Sequence, residues 1–75
     1  MPKLPRVSGA EAIRALEKLG FVRVRQRGSH VVLKKTTDSG AIGCVVPLHS
    51  ELATGTLRGI LTQAQVSPEA FARML

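Results

Sequence analysis

His30 follows Gly28-Ser29 and closes a basic run, Arg23-Val24-Arg25-Gln26-Arg27. This combination suits cleavage of RNA by its own 2′-hydroxyl. A neutral imidazole takes the hydroxyl proton, and an imidazolium returns one to the leaving 5′-oxygen. The ordinary imidazole pKa, near 6.5, allows both steps around neutrality. Arginines beside it would stabilise the charge on the phosphorane-like transition state. A lone histidine at the head of a strand is ordinarily a surface residue, so its setting has to carry the argument.

The setting is basic. Eleven Lys and Arg stand against five Asp and Glu, a formal charge of +6, and a charge of this sign attracts polyanions. Lys34-Lys35 follows on the return strand, so Arg23, Arg25, Arg27, Lys34 and Lys35 are expected to form one phosphate-binding patch. The same residues could instead be a solvated face guarding a sheet edge. The only aromatic residues are Phe21 and Phe71. Without stacking platforms, recognition would rest on phosphate, sugar and shape. His49 is a second candidate acid or base, but a plain loop residue is the simpler reading. Cys44 is the only cysteine, which excludes an internal disulfide and reads as core packing. No CxxC or HxxxH spacing is present, so neither a metal site nor a small-molecule cofactor is expected.

The elements that must position these residues follow from pattern. Residues 1–7 contain Pro2 and Pro5 and read as an extended arm. Ser8 with Glu11 forms a capping-box signature, so a helix is expected from about Gly9, with Ile13 and Leu16 inward and Gly20 as the stop. Phe21 to Arg27 alternates, which places Val22 and Val24 toward the core and the arginines outward. His30 to Lys35 is a second strand. Asp38-Ser39-Gly40 is a hairpin signal of open register, and Ala41 to Val46 is a third strand ended by Pro47. Thr54 or Thr56 is positioned to cap a second helix in which Leu57, Ile60, Leu61 and Ala64 share a face. The backbone N–H groups at Gly55 could bind phosphate. Ser67-Pro68-Glu69 opens a short last helix. The chain thus reads as one domain over 1–75. Its class is α+β: a two-layer α-β-β-β-α arrangement, a three-stranded antiparallel sheet with the helices on one face, and a short C-terminal helix. No apolar run has signal-peptide or membrane-span length, so a soluble cytoplasmic protein is expected.

Several stretches, in order and at fitting spacings, resemble one family. They are Ser8-Gly9, Leu19-Gly20-Phe21, Arg27-Gly28-Ser29-His30, Val46-Pro47-Leu48-His49 and Gly55-Thr56-Leu57-Arg58-Gly59-Ile60-Leu61. Together they resemble the HicA toxins, small ribonucleases of bacterial and archaeal toxin–antitoxin pairs, over nearly the whole chain. The resemblance implies a fold like double-stranded-RNA-binding domains. It implies metal-independent cleavage of mRNA with His30, the histidine of the Gly-Ser-His stretch, and it implies a HicB-type antitoxin that covers the site. Ser29 joins the arginines and lysines as an expected RNA contact.

Two other classes compete. One is an RNA-binding module without catalysis. Double-stranded-RNA binders place several lysines at the start of the last main helix, whereas Arg58 stands alone there. The other is an adaptor whose basic row meets an acidic protein.

Overall fold

A computed structural model describes residues 4–75, and the expectation for Pro2 lies outside them. In chain order the elements are α1 (Gly9–Lys18), β1 (Val22–Arg27), β2 (His30–Thr37), β3 (Gly40–Pro47), α2 (Thr54–Ala64) and α3 (Pro68–Arg73). The strands form one antiparallel meander in the order β1-β2-β3. The α-β-β-β-α layout with a short C-terminal helix is the one expected.

Helix α1 begins with the complete capping box. The Glu11 N–H donates to Ser8 Oγ at 3.1 Å, and the Ser8 N–H donates to Glu11 Oε1 at 2.9 Å. It ends at a glycine whose φ of +103° few other residues tolerate. There the Gly20 N–H reaches the Glu17 carbonyl and the Phe21 N–H reaches that of Leu16, which satisfies two orphaned carbonyls. Helix α2 departs from expectation at its start. Its N-cap is Ala53, with no side-chain cap, and both threonines lie inside the helix. It closes on Gln65 at φ +56°. Helix α3 is capped by Ser67, whose Oγ accepts from the Ala70 N–H at 3.1 Å.

The core lies between the helices and one face of the sheet. Val31 and Leu33 of β2 and Cys44 and Val46 of β3 bury against Ile13, Leu16, Leu57, Ile60 and Leu61. Phe71 folds α3 onto the same cluster, and Val7 anchors the N-terminal arm. The Leu52 N–H donates to the Val7 carbonyl at 2.8 Å, so the chain is pinned at Val7 before α1 begins.

The first strand corrects the sequence reading. Val22 and Val24 are 62% and 52% exposed and do not point to the helices. The cause is a β-bulge at Val24. Arg25 pairs with Val32, whereas Arg23 already pairs with Leu33, so one extra residue enters β1. A continuous ladder would have set Val24 against Leu33, as the alternation implies. The bulge turns Val24 out, and the residue before β1 comes onto the helix side instead. That residue is Phe21, only 2% exposed. Burying a phenylalanine removes more apolar surface than burying a valine, and a buried side chain of this class contributes about 1.5–3 kcal/mol. The exchange favours the bulge.

Candidate active site on the open sheet face

The two-residue turn between β1 and β2 fixes the geometry around His30. Gly28 has φ +54°, and Ser29 is not in the positive-φ region. This is the sign pattern of a hairpin turn with glycine at its first central position. The turn is held from both sides. Gln26 Nε2 donates to the Gly28 carbonyl at 2.9 Å, and the Leu48 N–H donates to the Ser29 carbonyl at 2.6 Å.

Such a turn sets Arg27 directly opposite His30. The two side chains leave the same face, with Cβ atoms roughly 5 Å apart. Helices cover the face of Val31 and Leu33, so His30, Val32 and Lys34 occupy the other, open face. Arg25 pairs with Val32 and Val22 with Lys34, which puts Arg25, Arg27 and Lys34 on the histidine's face. His30 and Lys34 are four residues apart on one strand, about 13 Å. That row forms a basic track along the open face. His30, Arg25, Arg27 and Lys34 are all exposed, so a polyanion reaches them without any rearrangement.

The expected five-residue patch is therefore split. The bulge places Arg23 opposite Leu33, on the helix side, where its Nε lies 3.6 Å from Glu17 Oε2. Lys35 also points to the helix side, with its Nζ 5.9 Å from the centre of the Phe21 ring, a cation–π contact at the sheet rim. Strict alternation could not foresee this, because one extra residue reverses the facing of everything before it.

Ser29 is exposed at the tip of the turn, beside His30. His49 is an exposed loop residue whose carbonyl accepts from the Gly9 N–H at 2.9 Å. The register left open by sequence is now fixed, with His30 opposite Pro47. Cys44 is buried, and burial pushes its thiol up to about 11, as befits a packing residue. Among the described residues, no three His, Cys, Asp or Glu side chains group in a way that could hold a metal ion. None of the described helices is long and apolar enough to cross a membrane.

A family model described as the HicA toxin of bacterial toxin–antitoxin systems matches residues 9–66. The chain belongs to the HicA toxin family. The matched span runs from the first residue of α1 to just past α2, so it contains the whole sheet and the turn that presents His30. Membership makes the chain a toxin-type member of a toxin–antitoxin pair and implies pairing with an antitoxin. A search of curated proteins finds no match.

Sequence reasoning missed two contributors to the site. Gln26 clamps the turn through its side chain, a role that residue type alone does not signal. Gly9 is the other. Its N–H holds the His49 carbonyl, one residue from the Leu48 N–H that holds Ser29. A backbone chain of contacts thus runs from the start of α1 to the residue before His30. The capping-box position of Ser8-Gly9 was legible, but the close approach to the end of β3 was not.

Proposed function

We propose that this HicA-family toxin is a metal-independent endoribonuclease of mRNA, with His30 as its general acid and base. The observation that supports this reading best is the pairing of Arg27 with His30 at the mouth of an open, basic sheet face. In the proposed step His30 removes the proton from a ribose 2′-hydroxyl, whose oxygen attacks the adjacent phosphorus. The bond to the 5′-oxygen breaks, and that oxygen takes up the proton that His30 now carries. Arg27 faces the charge that accumulates on the phosphoryl oxygens. Arg25 and Lys34 hold neighbouring phosphates, and Ser29 lies within the same turn. Arg23 and Lys35, committed to Glu17 and Phe21 on the other face, are not part of this track.

The products would be a 2′,3′-cyclic phosphate and a free 5′-hydroxyl. The test is cleavage of a labelled RNA in excess chelator, beside a DNA of the same sequence. RNA fragments with cyclic phosphate ends and intact DNA are expected, because DNA lacks the 2′-nucleophile. Loss of RNA cleavage on chelation would contradict the proposal, and intact RNA retained on the protein would favour a binder.

A further inference from the structure

The two edges of the sheet are built differently. Edge strand β1 carries three arginines and the bulge at Val24, devices that discourage a further strand. Edge strand β3, Gly-Ala-Ile-Gly-Cys-Val-Val-Pro, is eight residues long, contains no charged residue and pairs with β2 in unbroken register.

The hydrogen-bond parity of β3 follows from one contact. The Leu48 N–H donates to the Ser29 carbonyl, one step beyond the His30–Pro47 pair and in the same register. Bonded and non-bonded pairs alternate in an antiparallel ladder. Ile42, Cys44 and Val46 therefore bond toward β2, and Ala41, Gly43 and Val45 turn their N–H and C=O groups away from it. Pro47 has no N–H and ends this row. Ala41 and Val45 point their side chains to the same open face as His30, where Gly43 between them presents only hydrogen.

We propose that this edge takes an extended strand of the antitoxin, with an acidic residue opposite Gly43. The inference rests on membership of a toxin–antitoxin pair and is independent of His30 chemistry. Charge selects the occupant. Lys34 pairs with Gly43 across the ladder, and its Cγ lies 3.9 Å from where a Cβ on Gly43 would stand. The glycine leaves the lysine free to lean toward the outer edge, where a carboxylate on an added strand would meet it. A second copy of this chain would bring another Lys34 toward the first, and a charge of +6 toward +6. Nucleic acid offers no peptide groups to continue the ladder.

The experiment is amide hydrogen exchange on the chain, free and in complex with its co-expressed cognate antitoxin. The Ala41, Gly43 and Val45 amides should slow at least about tenfold on binding, whereas those of Ile42, Cys44 and Val46 are already protected in the free chain. Val45→Pro removes one outward N–H and no bond to β2, so it should weaken the complex roughly tenfold, the worth of one hydrogen bond. A thermal melt confirms that this variant folds, and the wild-type exchange data stand without it. Unchanged exchange at the three amides in the complex overturns the proposal. Slowing that tracks the concentration of the free chain overturns it in favour of a second copy, and slowing on addition of RNA alone overturns it likewise. No arm reads RNA cleavage, so this proposal and the ribonuclease assignment can fail separately.

Discussion

Gly9 and Gly59 both lie in helices, yet replacing each by alanine should have opposite effects. A Cβ on Gly9 would stand 2.0 Å from the Pro47 carbonyl oxygen and 3.0 Å from Leu48 Cα. Both are backbone atoms, so no side chain can swing aside. The start of α1 and the end of β3 must separate by at least about 1 Å for the first contact to reach even 3.0 Å. That movement stretches the Gly9 N–H bond to His49, now 2.9 Å. Overpacking of this kind typically costs about 1–3 kcal/mol, and a weakened hydrogen bond adds about 1 kcal/mol. Alanine's better helix propensity returns up to about 1 kcal/mol. The net loss for Gly9→Ala is roughly 1–4 kcal/mol, a large share of the ~4–11 kcal/mol expected for a chain of this length. Gly59 has nothing within 4 Å of its added Cβ, so Gly59→Ala should gain about 0.5–1 kcal/mol. Urea titrations of both variants with a shared slope measure the two signs. A Gly9→Ala protein as stable as wild type would refute the packing argument. Because Gly9 buttresses the loop that holds Ser29, its RNA cleavage should fall as well.

Other outcomes follow from single features. Gly28→Ala meets no atom within 4 Å but keeps φ at +54°; it should cost about 1–2 kcal/mol from backbone strain alone, and Gly28→Asn should cost less in the same denaturation assay. Reversing Arg25 or Lys34 on the open face should lower the salt dependence of RNA binding by about one phosphate contact each, whereas changing Arg23 should leave that slope unaltered. The Cys44 thiol, raised from 9.0 to about 11 by burial, should react with a maleimide at pH 8 far more slowly in the folded chain than in urea. Its raised folded value means that stability is intact below the ordinary thiol range and is lost as the pH climbs toward 11. Glu11 behaves in the opposite sense. Hydrogen bonds from Ser8, first from its backbone N–H and then from its side chain, hold its carboxyl below the ordinary value, so the capping contribution is present above the carboxylate range and fades as acid protonates it; Ser8→Ala should cost about 1 kcal/mol, and Glu11→Gln should flatten that dependence in acid melts.

Most of the architecture was legible because local signals agreed with the fold. Ser8 and Glu11 announced α1, Gly20 ended it, and Leu57, Ile60, Leu61 and Ala64 marked the buried face of α2. The hairpin signals gave the meander, but the placing of Arg27 directly opposite His30 across the Gly28-Ser29 turn emerged only with the structure. The facing of Arg23 and Val24 was hidden, because a bulge leaves no mark in a pattern of period two. Its signal was Phe21: a large apolar residue one step before the strand needs the core face, and only an inserted residue puts it there while Arg27 stays opposite His30. Lys35 was misplaced for a related reason. It shares the facing of Val31 and Leu33, and its charge suggested the solvent side, but a long side chain at the sheet rim reaches water from either face. The missing cap of α2 shows the limit of residue preference, since two threonines were available and the chain turned at Ala53.

The central claim is that His30 performs acid–base chemistry on RNA bound across the open face. Cleavage of a labelled RNA by wild type and by His30→Ala, each in chelator and each matched with an RNA-binding titration, tests it most directly. Loss of general acid–base help typically lowers a rate by about 10²- to 10⁴-fold, and an exposed polar side chain contributes less than about 0.5 kcal/mol to stability. The His30→Ala protein is expected to fold and bind RNA as wild type does, with cleavage lower by at least about two orders of magnitude. A His30→Ala protein that cuts RNA at the wild-type rate would contradict it.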